Sequence, residues 1–169
     1  MALIDKSNLY TEAWNNIYNI VNNRTYINDP SNSSGSRKFV YARQPQIKSV
    51  NFNQFPYIIV NQPTLIQSRD SINQQRKRIK YTINLEIHTS DQTSDGTPNQ
   101  PGNGQKWLNS ISDDMQRTFN LDTVKQSLRA LGVQNIKLDS TDSDLDMIND
   151  HLVFTRTFTL TFEDKKVVF

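Results

Sequence analysis

Few stretches of this 169-residue sequence carry groups that could do chemistry. Asp142-Ser143-Asp144-Leu145-Asp146 sets carboxylates at alternate positions, as the opening of a calcium loop does. The match stops there, because Met147 stands where the loop's turn calls for glycine and Val153 where its bidentate glutamate belongs. Two readings stay open for the acidic run: a solvated turn, or a negative patch that meets a basic cluster on another copy of the chain. The concentrated positive charge is Arg76-Lys77-Arg78 with Lys80 and the earlier Arg69. It reads either as a solvated strand end or as a low-specificity lining for duplex DNA. A single-strand binder would interleave stacking rings with its cations, and here only Tyr81 is near, on the apolar side. His88 and His151 are the two histidines, and neither has a second histidine at metal-ligand spacing. No nucleophile elbow, phosphate-cradling glycine loop or dinucleotide fingerprint occurs. The expectation is a protein without catalytic, cofactor or metal residues, and not an enzyme.

These groups ride on two long alternating stretches. In Leu152 to Phe162, Leu152, Phe154, Phe158, Leu160 and Phe162 fall on one phase of a two-residue repeat, and four threonines fall on the other. That predicts a half-buried strand, its threonine side facing solvent, a lumen or a neighbouring subunit. Arg156 interrupts the apolar phase. Its charged head must escape to the sheet's edge or find a carboxylate, within the chain or across a subunit boundary. From Arg76 to Thr89, Ile79, Tyr81, Ile83, Leu85 and Ile87 alternate with Lys80, Thr82, Asn84, Glu86 and His88, which predicts a second long strand.

Helices should roof the apolar face. Leu9, Ala13, Ile17, Ile20 and Val21 share a helical stripe over Asn8 to Arg24, with Ser7 or Asn8 as cap and Glu12 in the first turn. Tyr10, Trp14 and Tyr18 form a second stripe, which either widens the core or docks a neighbouring subunit. A helix from Lys106 to Phe119 carries Leu108, Ile111, Met115 and Phe119; a successor capped by Asp122 carries Val124, Leu128 and Leu131 and stops at Gly132. Shorter strands are expected at Phe39 to Tyr41, Ile47 to Phe52, Tyr57 to Val60 between prolines, and Val133 to Leu138. Residues 28–36 and 90–104 are Pro/Gly-rich and polar and read as long surface loops. The fold expected is α+β: a single domain over 1–169, with a mostly antiparallel, mixed sheet whose helices pack on one face.

Composition agrees with such a fold. Hydrophobic residues make up 35% and Asn plus Gln number 32, so a small core sits beneath an amide-rich surface. Cysteine is absent, which removes disulfides and thiolate chemistry and suits a reducing compartment. No run approaches a membrane span, and the opening residues lack the pattern of a signal peptide, so an intracellular protein without membrane partners is expected. The net charge of +2 is too small to argue for nucleic acid by itself.

The order of elements is an amphipathic helix, the proline-flanked strand Phe55-Pro56-Tyr57-Ile58-Ile59-Val60, the long strand with the basic start Arg76-Lys77-Arg78, a long loop, helices over Trp107 to Leu131, a strand near Val133 to Ile136 and a final alternating strand. This order resembles the small tail terminator and neck proteins of long-tailed bacteriophages. The resemblance implies a homo-oligomeric ring, usually a hexamer, that caps the tail tube, stops its growth and offers the head–tail joining surface. Its partners would be the tail tube protein and a head-completion or connector protein, with duplex DNA passing through the lumen. The chain would be assembled in the host cytoplasm and reside in the virion neck. A head-completion protein at the same joint and a non-specific nucleic-acid-binding module are the alternatives. The family supplies no signature that assigns individual residues. From the residues themselves, the candidate interface groups are Arg76, Lys77, Arg78, Lys80, Asp142, Asp144, Asp146, Arg156, Tyr10, Trp14 and Tyr18.

Overall fold

The computed structural model describes residues 6–31, 37–43, 55–69, 76–91, 103–148 and 151–167, with side chains for 11–31, 37–43, 55–64, 80–91, 103–141, 143–147 and 152–163. The strand expected at Ile47 to Phe52 and most of the two polar loops lie outside these residues. In chain order the elements are α1 (Lys6–Val21), β1 (Val40–Tyr41), β2 (Tyr57–Val60), β3 (Thr64–Arg69), β4 (Arg76–Ser90), α2 (Asn103–Asn120), α3 (Asp122–Ala130), β5 (Val133–Ile148) and β6 (His151–Val167). They form an α+β domain on one six-stranded mixed sheet.

Two strands make the frame. β4 and β6 pair antiparallel without a bulge from Arg76↔Val167 to Ser90↔Val153. That register sets Tyr81 against Phe162, Ile83 against Leu160 and Leu85 against Phe158, so two alternating patterns close into one apolar face. The Tyr81 and Phe162 rings stack with centroids 5.2 Å apart. Over this face lie Ala13, Ile17 and Val21 of α1, Leu108, Ile111, Met115 and Phe119 of α2, and Val124 and Leu128 of α3, in one continuous core with Phe158 at its centre. Among the described residues these helix stripes are buried, Ile20 partly so. Leu131, the C-cap of α3, departs from them at 37% exposure, just before Gly132 turns the chain at φ 89°, and Leu152 of the strand stripe is 39% exposed.

Helix starts differ from expectation by one to three residues, α2 beginning at Asn103 and not Lys106. α1 already includes Lys6, so Ser7 and Asn8 lie inside it and Glu12 falls beyond its first turn. Leu121, not Asp122, occupies the N-cap of α3 without a side-chain cap, and Asp122 is the first helical residue, where its charge still meets the helix dipole.

The edges departed further from the sequence. β2 is buried on both sides, between β1, parallel to it, and β4. β3, unforeseen, continues along the same edge of β4 after the break at Asn61 to Pro63. β5 was expected to stop at Leu138, with a turn over the acidic run. Instead the strand continues to Ile148, absorbing two extra residues as irregularities between Gln134 and Lys137 and between Ser140 and Ser143. Asn135, in the first, adopts the left-handed φ of 51° and donates to Glu163 Oε2 at 2.7 Å. The acidic run is therefore extended backbone, and not the tight turn that a calcium loop needs.

The described start of the 28–36 loop is tied down. Asp29 is buried, and its carboxylate accepts from Ser31 N at 3.0 Å, Ser31 Oγ at 2.7 Å and Arg37 Nη2 at 2.9 Å. Arg37 also donates to Pro56 O at 2.7 Å, which fastens the loop to the start of β2. A buried carboxylate persists here because charged and neutral donors replace its water.

Candidate functional site

Chemistry-bearing side chains collect at three places on the sheet. The first lies on the face opposite the helices. Phe55, Tyr57, Ile59 and Val153, with Tyr41 against them, form a second small apolar cluster where the sequence suggested an open threonine surface. His88 stacks on Tyr57 with centroids 4.8 Å apart. One imidazole nitrogen lies 3.3 Å from Glu86 Oε2 and the other 3.2 Å from Thr155 Oγ1. Asn61 Nδ2 donates to the other Glu86 oxygen. Burial lowers the His88 pKa, against a partial upward pull from the hydrogen bond and charge of Glu86. The Tyr57 hydroxyl is pushed up to about 12, chiefly by burial and then by the charges of Glu86 and Tyr41. The cluster thus holds an imidazole, its neutral form favoured by burial, between a ring, a carboxylate and a hydroxyl.

The second place is the far end of the β5–β6 ribbon. β4 ends opposite Val153, so Met147 and Ile148 pair with Leu152 and His151 beyond its last residue. The described start of α2 lies against Phe154: a Cβ at Gly104 would lie 2.8 Å from that ring. Past this point the helix-side face continues as Leu145, Met147 and Leu152, exposed by 56%, 63% and 39%. Asp144 and Asp146 are exposed on the opposite face, each accepting from the next residue's backbone N–H at 2.9 and 2.8 Å. Arg156 stays on the helix side, as its phase requires. Its head reaches the surface and donates to Ser143 Oγ at 2.6 Å and Asn109 Oδ1 at 3.4 Å, meeting no carboxylate among the described residues.

The third place is the opposite end of the sheet. Register sets Arg69 beside Lys77 and Lys77 beside Lys166, while Arg78 lies between Ser68 and Lys165. The cluster read from the sequence, Arg69 included, is thereby joined by Lys165 and Lys166 of β6. Lys80, exposed, pairs in register with Glu163. The side chains of Arg76, Lys77 and Arg78 lie outside those described, as do those of Tyr10 and Asp142. On the neighbouring flank, Lys125 and Arg129 of α3 line an open cleft of about 340 Å³ with Gln134, Asn135 and Ile136 of β5. The sequence reading passed over this pair, although four-residue spacing on a helix was the signal for it.

Trp14 and Tyr18 have committed their polar ends within the chain. Trp14 Nε1 donates to Asn61 O at 3.0 Å, Tyr18 OH donates to Val40 O at 3.1 Å, and the rings stack at 5.3 Å. They fasten α1 to the edge made by β1 and β2.

No group of three or more His, Cys, Asp or Glu side chains converges in metal-binding geometry among the described residues, and no helix among them is long and apolar enough to cross a membrane. The sequence matches no protein-family model and no curated protein.

Proposed function

We propose that this chain is a structural virion protein of the tail terminator type, whose copies form a ring that caps a tail tube and presents the head–tail joining surface. The observation that carries the reading is the exposed apolar end of the β5–β6 ribbon, Leu145, Met147 and Leu152, the more exposed of the two groups of large hydrophobics among the described residues. A ribbon end with exposed apolar side chains favours association, because such a patch is stabilised when a partner excludes water from it. The acidic residues at that end and the cations at the other support contacts between unlike ends, and a contact between unlike surfaces generates a ring when its rotation closes. The resemblance in element order supplies the tail context and the copy number of six. In this reading the protein performs no catalysis and holds no cofactor, and its partners are the tail tube protein and a head-completion protein.

Light scattering and negative-stain imaging, with and without tail tubes, test the reading. Closed rings, free or seated on tube ends, are the expected result. A chain that remains monomeric at high concentration and leaves tube ends bare would overturn it.

A second reading has its own observation, the convergence of Arg69, Lys77 and Lys166 on three adjacent strands. A lumen lined by that end would hold duplex DNA through phosphate contacts, with affinity falling steeply as salt rises. Salt-insensitive retention of duplex DNA, or none at low salt, would remove it.

A further inference from the structure

We infer that the β5–β6 ribbon end of one copy docks in the cleft between α3 and β5 of a second copy, so that Asp144 and Asp146 face Lys125 and Arg129. The inference rests on the self-assembly part of the reading above, not on its tail context.

The ribbon end has an exposed apolar side, Leu145, Met147 and Leu152, backed by two exposed carboxylates. The cleft has the complementary make-up. Lys125 and Arg129 stand one turn apart on the same flank of α3, with half-buried Ile136 and the amides of Gln134 and Asn135 opposite. Leu121, one turn before Lys125, is exposed by 37% and extends the flank with an apolar group. Neither cation forms an ion pair among the described residues; Lys125 Nζ reaches only Asn120 Oδ1, at 3.5 Å. Glu163, the carboxylate beside the cleft, is occupied by Asn135. Among described residues the exposed large hydrophobics fall into two groups: these three on the ribbon, and Leu121 with Leu131 at the two ends of α3.

The occupant must be another molecule. β6 pairs with Asp146 at Val153 and with Val133 at Asp164, eleven residues apart on one continuous strand. At the usual rise that is roughly 35 Å of paired sheet. A ribbon braced by β4 for most of that length cannot fold back on its own cleft. A second copy offers the cleft with the right charge, and the two unlike surfaces give a head-to-tail contact. Charge sets its register and the apolar groups supply the burial.

Charge reversal tests the contact. One variant carries Asp144→Lys and Asp146→Lys; the other carries Lys125→Glu and Arg129→Glu. Each alone faces like charges across the contact, so its half-assembly concentration should rise by about 100-fold or more. An equimolar mixture restores opposite charges at every junction and should assemble as the wild type does, which also shows that both variants are folded. Assembly retained by either variant alone would overturn the docking, and so would a mixture that stays dissociated. If the wild type forms rings while the Lys125 and Arg129 variant does too, the ring stands and this contact falls. A wild type that is monomeric in solution likewise removes the contact, while ring formation on tail tubes then decides the terminator reading separately.

Discussion

Phe158 lies at the centre of the core with no exposed surface, between Leu85 across the sheet and the helices above it. Phe158→Ala removes the whole ring from a fully buried site and should cost about 3–5 kcal/mol in denaturant melts. A loss below about 1 kcal/mol would contradict its place in the core. His88 gives the second prediction at this scale. Its folded pKa lies below the unfolded value of about 6.5, so the fold favours the neutral ring. As pH falls below that value the unfolded chain takes up a proton that the folded chain resists, and stability is lost. The groups facing the ring are Tyr57, Glu86 and Thr155, and Glu86 only partly offsets the burial. Between pH 7.5 and 5.5 the wild-type melting temperature should fall more steeply than that of His88→Gln. Equal slopes would show that burial of the imidazole does not govern its titration. Neither Tyr57 nor Thr155 was foreseen as a partner of His88, because register, not sequence proximity, brings them together.

At the scale of elements, the closest approach is where α2 begins. Gly104 N donates to Asp91 Oδ1 at 2.7 Å, and Thr89 Oγ1 donates to Gly104 O at 2.7 Å, which draws the helix start onto the end of β4. A Cβ there would meet Asp91 Oδ1 and the Phe154 ring at 2.8 Å. Gly104→Ala should destabilise by about 1–3 kcal/mol, because the helix must lift or the ring must turn. Thermal melts check this, and an unchanged or raised midpoint would show that Phe154 yields freely. The long strands and the three helices were legible from periodicity, since each buries one face and the burial pattern repeats at the element's own period. β3 was not legible. Thr64 to Arg69 lacks alternation of its own and is a strand because the edge of β4 offers it partners. The acidic half of β5 was misread for a related reason: its aspartates suggested a turn, yet β6 supplies a ladder that such residues can join.

For the whole molecule, the sheet is an axis with unlike ends. Register gathers Arg69, Lys77, Arg78, Lys165 and Lys166 at one end, while Asp144 and Asp146 stand near the other. If those ends meet in an assembly, raising the salt from about 50 to 500 mM shortens the Debye length to a few ångströms and should raise the half-assembly concentration. Sedimentation at the two salts measures it. Assembly that is indifferent to salt would mean that apolar burial at Leu145, Met147 and Leu152 acts without electrostatic guidance.

The amino-acid sequence by itself determined which face of each long element is apolar, and hence that helices roof one side of a sheet framed by two alternating strands. Those choices are local, because a side chain's direction follows from its position in a helix or strand repeat. Tertiary structure alone decided that Lys165 and Lys166 join the cations of β4, that Val153 joins a second apolar cluster, and that Lys125 and Arg129 border a cleft with Asn135. It also decided that Leu145, Met147 and Leu152 are exposed, because the described start of α2 at Asn103 and Gly104 lies against Phe154 and β4 ends at Ser90. Each of these depends on pairing register and on where a covering element stops. Register and cover are settled by the sum of contacts over distant residues, which no single stretch of the chain contains.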